Sequence, residues 1–206
     1  MSRYRGPKNR IARKFGVNIF TKLRNPLLHK ANPPGVHGAK RKKQSDYGVQ
    51  LFEKQKLKAV YGMLTNKQLI LTYKKALKKH GNTANILLSL LECRLDNIVY
   101  RARFASTIFG AQQLISHGHI TVNGKKTDIR SCLVKPSDKI SLKEKSKKLK
   151  IVQSSIANLS REIPDYMSLE EDKLTATLIS EPEADQIPLP LDINTALVCE
   201  FLAHTF

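Results

Sequence analysis

Residues 92–142, ECRLDNIVYRARFASTIFGAQQLISHGHITVNGKKTDIRSCLVKPSDKISL, contain two short helical patterns followed by a hairpin pattern. In the first pattern apolar residues recur at helical spacing, at Leu95, Ile98, Val99 and Ala102. Ser106 is predicted to cap the second helix. The apolar residues of that helix are Ile108, Ala111, Leu114 and Ile115, and its other side carries Phe109, Gln113 and Ser116. Gly118 is predicted to end this helix, because a residue without Cβ adopts the left-handed conformation at low cost. The stretch therefore predicts two helices that each bury one face.

An antiparallel hairpin is predicted directly after the second helix. Ile120 and Val122 alternate with polar residues up to Asn123-Gly124, a pair that favours tight hairpin turns, and a strand returns toward Leu142. Lys125 and Lys126 follow the turn, so that the hairpin presents two ammonium groups on a rigid support.

The first helix of this stretch carries three arginines. Arg94, Arg101 and Arg103 are expected to be available for charge contacts, and Asp96 is expected to orient the guanidinium of Arg101 as well as to cap the helix start. Two small helices with arginines beside a hairpin with lysines suit a grooved, folded RNA better than a small metabolite.

Charge is unevenly distributed along the 206 residues. The net charge is +19, with +19 in residues 1–91, +8 in residues 92–150 and −8 in residues 151–206. This excess of positive charge implies a polyanionic partner, which is a nucleic acid or less often an anionic membrane. The anion-binding surface is therefore expected in the first three quarters of the chain, with the acidic remainder facing elsewhere.

A cytosolic protein without a membrane span is expected. No stretch approaches the roughly 18 apolar residues of a span, and the N-terminus lacks a secretory apolar region. The early arginines resemble an organellar transit peptide only faintly, because Gly6-Pro7 and Pro33-Pro34 would break its amphipathic helix.

Metal, disulfide and catalytic sites are not predicted. Cys93, Cys132 and Cys199 are widely spaced, without a C-x-x-C pair. His117 and His119 lack a third metal ligand nearby, so contact with RNA or a role in the turn is favoured over a metal site. Cys93 resembles a nucleophile only superficially, since a lone Cys on an amphipathic helix is more often packed in the core. No cofactor is expected.

The first 43 residues form a basic extension interrupted by Pro and Gly. Too few apolar residues are present for a core, and either a disordered tail or a segment that orders on RNA fits this composition. We favour ordering on RNA, because Tyr4 and Phe15 could stack on bases while the neighbouring cations bind phosphates.

A helical domain is predicted from residue 44 to 91. Ser45 or Asp46 is expected to cap a helix that buries Val49, Phe52, Leu57, Val60 and Leu64, with Lys56 at its edge. Asn66 is expected to cap a second, with Leu69, Ile70, Tyr73 and Leu77 inward and Lys74, Lys75, Lys78 and Lys79 outward, ending at Gly81. Asn82 or Thr83 opens a third, mostly apolar helix through Ile86, Leu87, Leu90 and Leu91.

The C-terminal quarter is mixed and acidic. Thr175 to Ile179 alternates and suggests an edge strand. Asn194 is expected to cap a final helix that presents Leu197, Val198, Phe201 and Leu202 and needs an apolar partner.

Three runs in residues 92–142, RLDNIVYR, AQQLISHGHITVNGK and VKPSDKISL, resemble the RNA-binding module of the small-subunit ribosomal protein four family, a module also found in some tRNA synthetases and pseudouridine synthases. The flanks, SRYRGPK, PPGVHG, KRKKQSDYGVQLFEKQKLKAVYG and INTALVCEFL, are similar to the bacterial-type (universal uS-four) ribosomal family over essentially the whole chain. Some relatives carry an N-terminal Cys-rich zinc site, whose cysteines this chain lacks. Gln112 stands where relatives usually have Arg, Ser137 stands in place of a common Gly, and residues 64–67 lack the usual acid.

The resemblance implies an α+β fold: a mainly helical N-terminal domain with a basic extension, an inserted RNA-binding module of short helices on a small antiparallel sheet, and a C-terminal helix that returns to the helical domain. The implied boundaries are 1–43 for the extension, 44–91 with 192–204 for the helical domain, and 92–191 for the module with its acidic segment.

The resemblance also implies a function. It is that of a non-enzymatic constituent of the small ribosomal subunit that binds the 5′ domain of its rRNA early, nucleates assembly of the subunit body and affects decoding accuracy. The expected partners are small-subunit rRNA and other small-subunit proteins, ribosomal protein five in particular. Neither membrane binding nor homo-oligomerisation is expected.

Two other classes of function fit this sequence less well. An RNA-modifying enzyme with the same module would need a catalytic domain of about 150 further residues with an Asp nucleophile. A cationic membrane-surface protein would need a basic helix with bulky apolar anchors, whereas the apolar faces here are compact and suit a core.

The residues predicted to contact RNA are distributed over the first three quarters of the chain. They are Arg3, Arg5, Lys8, Arg10, Arg13, Lys14, Lys40, Arg41, Lys42, Lys43, Lys54, Lys56, Arg94, Arg101, Arg103, Gln113, His117, His119, Asn123, Lys125 and Lys126.

Overall fold

The chain folds into two compact units. The structure, a computed structural model, describes residues 4–20, 24–40, 43–158, 161–170, 172 and 174–205. Unit 1 comprises the residues up to Leu87 together with those from Leu189 onward, and unit 2 comprises Leu88–Pro188. None of the helices in the described ranges has the length and apolar character needed to span a bilayer.

Helices and strands follow one another in an α+β order. The N-terminal helices are α1 (Lys8–Phe15), α2 (Pro26–His29), α3 (Asp46–Val60), α4 (Asn66–Ala76) and α5 (Thr83–Glu92), which crosses from unit 1 into unit 2. Then come α6 (Leu95–Arg101), α7 (Ile108–Ser116), β1 (Ile120–Val122), β2 (Lys125–Lys126), β3 (Lys139–Leu142), α8 (Glu144–Lys147), α9 (Lys150–Ala157), β4 (Met167–Leu169), β5 (Thr175–Leu178), a 3₁₀ turn (Ala184–Gln186) and α10 (Thr195–Ala203).

In unit 1 the last helix packs against an early one, so the C-terminal helix does return to the helical domain. Phe201 of α10 contacts the Tyr47 ring of α3, with 5.3 Å between the ring centroids. The side chain of Asn194 caps α10 as predicted, and its backbone N–H donates to Glu53 Oε2 on α3 at 3.0 Å. The apolar face of α10 is thereby buried within unit 1.

The N-terminal segment has more local structure than its composition suggested. Ala12, Ile19 and Phe20 are buried, although the segment was expected to lack the apolar residues for a core. Phe15, expected to stack on bases, instead meets Phe52 of α3 edge-on, with the centroids 5.1 Å apart. The contact between Phe15 and Phe52 therefore joins α1 to α3 within unit 1.

Unit 2 is built on an antiparallel sheet. Its described strands lie in the order β2-β1-β3-β5-β4, with Ile120 opposite Leu142 and Ile140 opposite Ala176. Helices α6 and α7 pack on this sheet, and the core includes Leu95, Ile98, Phe104, Ile115, Ile120 and Ile140. The sheet thus fixes the position of the β1–β2 hairpin relative to α7.

Several local predictions were wrong by small amounts. Thr107 rather than Ser106 caps α7, and Thr65 rather than Asn66 caps α4, because in each case the Thr has the extended backbone that a capping hydroxyl requires. Leu77, expected inward, is exposed because α4 ends one residue before it. Strand β5, expected at an edge, is internal because the short β4 pairs with its outer side.

Candidate nucleic-acid interface

The predicted hairpin is confirmed, and its turn is held by the side chain of its own Asn. Asn123 and Gly124 have φ values of 49° and 77°, as a turn with two left-handed residues requires. Asn123 Oδ1 accepts from the Lys139 backbone N–H at 2.8 Å, and its Nδ2 donates to Asp138 Oδ1 at 2.7 Å. Lys125 and Lys126 are exposed on β2, beside this braced turn.

The end of α7 and the hairpin form one surface of unit 2. Lys126 lies over Gly118, where a Cβ would overlap its Cε atom. Gly118 has a φ of 71°, so the left-handed helix end that was predicted is present. The Lys126 ammonium group is therefore held next to the C-terminus of α7.

Two histidines continue this surface. The exposed His117 ring lies 6.1 Å from that of His119, and His119 Nδ1 is 2.9 Å from Ser146 Oγ. Gln113 is exposed one turn before His117 on α7. We refer to Gln113, His117, His119, Lys125 and Lys126 as the hairpin surface, which offers cations, ring faces and an amide to a ligand.

Arg94 does not belong to this surface. Its side chain is buried, with 5% of the residue exposed, and it donates from Nε and Nη2 to the two carboxylate oxygens of Asp96, each at 3.1 Å. The expectation that Arg94 is available is therefore wrong, and Asp96 orients Arg94 rather than Arg101. The backbone of Arg94 also forms a β-bridge with Leu133, a long-range pairing that helical spacing could not reveal.

Arg101 is also used inside unit 2. Its Nε donates to Glu92 Oε1 at 2.6 Å and its Nη1 to the Pro188 carbonyl at 2.9 Å. The same oxygen of Glu92, which is fully buried, accepts from the Tyr166 hydroxyl at 2.7 Å. Burial raises the pKa of Tyr166 well above its ordinary value, and the charge of Glu92 raises it further. Arg101 is thus a half-buried counter-ion with 11% of its side chain exposed, which leaves little of it for RNA.

Arg103 occupies a strained position. Its φ is 64°, which is uncommon for a bulky residue, and among the described residues its buried Nε has no hydrogen-bond acceptor. The side chain is half-buried at the end of α6.

Gln112 links two charged residues of unit 2 by hydrogen bonds. It is buried, its Nε2 donates to Asp96 Oδ2 at 3.2 Å, and its Oε1 accepts from Arg130 at 3.2 Å. The half-buried Arg130 had no place among the predicted residues, because only the fold brings it to Gln112. Ser137 has a φ of 71°, a left-handed conformation that glycine adopts at lower cost.

In unit 1 several predicted cations are partly used within the fold. Lys54 is only 9% exposed, with its Nζ 3.9 Å from the Phe201 ring centroid. Burial lowers the pKa of Lys54, and the nearby charge of Lys58 lowers it further. Lys56 pairs with Glu53 at 2.7 Å and donates to the Asp192 carbonyl.

Arg13 and Lys14 likewise make contacts within unit 1. Arg13 donates to the Lys30 and Asn32 carbonyls at distances of 2.7 to 3.1 Å, and so ties α1 to the chain after α2. Lys14 donates to Gln55 Oε1, and burial lowers its pKa.

The remaining predicted cations of unit 1 are at the surface. Arg5, Arg10, Lys40 and Lys43 are exposed and Lys8 is half-exposed, whereas Arg3, Arg41 and Lys42 lie outside the described residues. The structure adds a cationic cleft of about 430 Å³ between α1 and α2, where Arg24, His29 and Lys30 join Arg13. The signal for these additional residues was the absence of Asp and Glu before Asp46.

No metal centre is assembled by the described ranges. Within them no three His, Cys, Asp or Glu side chains are close enough together to hold an ion. Cys93 is buried in the core of unit 2, so it is placed as packing rather than as a nucleophile.

Comparison with known proteins identifies the family. Residues 3–92 match the model for the ribosomal protein S4/S9 N-terminal domain, and residues 93–140 match the S4 domain. The chain is 57% identical over 205 residues to small ribosomal subunit protein uS4 of Protochlamydia amoebophila (strain UWE25), covering 100% of both chains. It is 59% identical over 207 residues to uS4 of Chlamydia trachomatis serovar D, and 55% identical to that of Chlamydia caviae, covering 99% of both chains in each case. Because these relatives are matched along 99% or more of their length at 55% identity or higher, the chain belongs to the uS4 family of small ribosomal subunit proteins.

Proposed function

We propose that this chain is a structural, non-enzymatic constituent of the small ribosomal subunit that binds its rRNA directly. The single observation that carries the proposal is the hairpin surface, where a braced turn and a helix end hold two lysines and two histidines together. Such an arrangement suits a folded RNA, because the cations can bind its phosphates while the rings stack on its unstacked bases.

The position of that RNA in the subunit follows from family membership. We propose that the chain binds the 5′ domain of the small-subunit rRNA early, nucleates assembly of the subunit body and contributes to decoding accuracy. Its protein neighbours would be other small-subunit proteins, ribosomal protein five in particular, and it would work in the cytoplasm as a single copy on the ribosome.

The domain division belongs to the same proposal. A basic extension (1–43), a helical domain (44–91 with 192–204) and an RNA-binding module (92–191) would act as separate functional parts. Support comes from the packing of α10 on α3 and from the hairpin surface, which lies within unit 2.

Binding energy would come mostly from phosphate contacts. Each Lys or Arg that neutralises a phosphate releases a counterion, so affinity falls steeply with salt. The candidates that the structure leaves most accessible are Lys125 and Lys126 in unit 2 and Arg5, Arg10, Lys40 and Lys43 in unit 1.

Footprinting of the full chain on small-subunit rRNA at two salt concentrations tests the proposal. We expect a discrete protected region in the 5′ domain at both concentrations, with affinity about a thousandfold lower at the higher one if six or more phosphates are bound. Protection spread evenly over all rRNA domains would overturn it. The variant Lys125→Gln/Lys126→Gln is expected to weaken the protection, whereas Lys125→Arg/Lys126→Arg is expected to retain it.

A further inference from the structure

Cations surround an open cleft between α1 and α2. Its volume is about 430 Å³, which is within the range of pockets for one small ligand. Arg13, Arg24, His29 and Lys30 line it, and no acidic side chain does. Since Asp46 is the first acidic residue of the chain, no neighbour in sequence offsets this positive charge.

The walls of the cleft are fixed by hydrogen bonds of the protein itself. Arg13 on α1 donates to the Lys30 and Asn32 carbonyls, which holds the chain after α2 against α1. Asn25 Oδ1 accepts from the Leu27 backbone N–H at 3.0 Å and so sets the start of α2. Arg13 and Asn25 are thus engaged in hydrogen bonds of the fold. Arg24, His29 and Lys30 also line the cleft, and all three are exposed and can contact a ligand.

The chemistry of those three groups fits one nucleotide. A guanidinium and an ammonium bind a phosphate, and an imidazole ring can stack on an unstacked base or donate to a phosphate oxygen. A duplex groove contact would need an extended surface instead of a cavity of this size. We propose that the cleft receives a single nucleotide of the bound RNA, its phosphate on Arg24 and Lys30 and its base against His29.

This inference rests on the proposed function, because the nucleotide is taken to be part of the rRNA. It adds a specific contact in unit 1 that is separate from the hairpin surface of unit 2. Free nucleotides share the same chemistry, so the test includes uridine 5′-monophosphate and inorganic phosphate as separate probes.

The test uses the full chain with Arg24→Gln/Lys30→Gln, which removes two charges at the cleft. The matched control is Lys75→Gln/Lys78→Gln, which removes two exposed charges at and just beyond the end of α4 in the same unit. Chemical probing of rRNA bases is expected to show one nucleotide, or two adjacent ones, protected by the wild type and by the control but not by the cleft variant. Affinity is expected to fall about tenfold for the cleft variant and less than threefold for the control.

Equal losses of affinity in the two variants, with identical protection patterns, would overturn the proposal. Saturable binding of uridine 5′-monophosphate with unchanged rRNA protection in the cleft variant would overturn the assignment to RNA. A wild-type chain that protects no rRNA region would instead contradict the proposed function. Circular dichroism of both variants checks that they are folded equally well.

Discussion

Single cations of unit 2 have opposite roles that depend on their neighbours. Arg94 and the half-buried Arg101 are paired with Asp96 and Glu92, whereas Lys125 and Lys126 are exposed beside a turn. A buried ion pair needs its partner, because one charge left alone in the core is strongly destabilising. Loss of an arginine in unit 2 therefore threatens the fold before it affects RNA.

Replacing Glu92 is expected to expose this dependence. Glu92→Gln keeps the size of the side chain but leaves Arg101 without its counter-ion, so the free energy of unfolding is expected to fall by about 3 kcal/mol. Urea unfolding measures the change. Tyr166→Phe is the control, because it removes one hydrogen bond to the same oxygen and is expected to cost about 1 kcal/mol. A Glu92→Gln variant as stable as Tyr166→Phe would show that the pair contributes nothing beyond that bond.

Lys54 is expected to make the stability of unit 1 depend on pH. Its folded-state pKa is lowered by burial and by Lys58, so the unfolded chain holds the proton more tightly. The free energy of unfolding therefore rises with pH between the folded and unfolded pKa values, and the cost of the buried charge is fully present below them. Lys54→Met removes this titration.

The measurement for Lys54 is the difference between wild-type and Lys54→Met urea midpoints at pH 7, 8.5 and 10. Relative to the wild type, the variant is expected to lose its advantage as pH rises. The control is Lys75→Met, the same replacement at an exposed lysine of α4. A difference for Lys54→Met that does not change with pH would contradict the prediction.

Residue-scale prediction from sequence succeeded where the decisive contact is local. The Asn123-Gly124 turn, the Gly118 helix end and the Asn194 cap depend on neighbouring residues, and all three were confirmed. Arg94 was misjudged because helical spacing does not show that its side chain is buried and paired with Asp96. The Lys54 environment likewise depends on Phe201, which lies on another helix.

At the scale of elements, a helix end and a hairpin share a surface only because a glycine lies between them. Gly118 lets α7 stop in a left-handed conformation and leaves room for Lys126. Gly16 after α1 has nearly the same φ, 70°, but a Cβ there would meet nothing within 4 Å. Substituting each glycine by alanine therefore distinguishes two effects. At Gly16 only the backbone conformation is strained, whereas at Gly118 the added Cβ also overlaps Lys126.

Gly118→Ala and Gly16→Ala are expected to destabilise the chain by a similar amount, about 1 kcal/mol, because both place Cβ on a left-handed residue. Only Gly118→Ala is expected to displace Lys126, which would weaken rRNA binding roughly fivefold. Filter binding and urea unfolding on the same preparations measure both quantities. Equal rRNA affinity for the two variants would show that the position of Lys126 is unimportant.

Elements were predictable in kind where patterns are long, but two helix ends were placed too late. Helix α3 was expected to include Leu64 and ends at Val60, and α4 was expected to end at Gly81 and ends at Ala76. The helices α3, α4 and α7 and the β1–β2 hairpin were expected from periodicity and turn residues, and the structure contains them. Strand β4 was missed because three residues give too little alternation to recognise. The internal position of β5 followed from that omission, since sheet order depends on pairing that sequence spacing does not encode.

For the molecule as a whole, charge is separated along the chain, with +27 over residues 1–150 and −8 over the rest. A cationic surface of this kind makes binding to RNA strongly dependent on salt. Because the hairpin lysines are held by a braced turn, we expect both of them to contribute fully to that dependence.

Lys125→Gln/Lys126→Gln is therefore expected to reduce the slope of log affinity against log salt by about 2, roughly one unit per phosphate contact. Titrations of rRNA binding from low to moderate salt provide the slope. Lys125→Arg/Lys126→Arg keeps both charges and is expected to keep the wild-type slope. An unchanged slope for the Gln variant would place the phosphate contacts elsewhere.

The packing of α10 on α3 has a consequence for biosynthesis. The apolar side of α3 leaves the translating ribosome early, yet its cover is made only after the whole of unit 2 has been synthesised. The last helix of unit 1 is thus synthesised after all the described strands of unit 2. Chains that stop before α10 would leave the apolar side of α3 exposed. Such an apolar patch is a feature by which proteases can distinguish incomplete chains from complete ones.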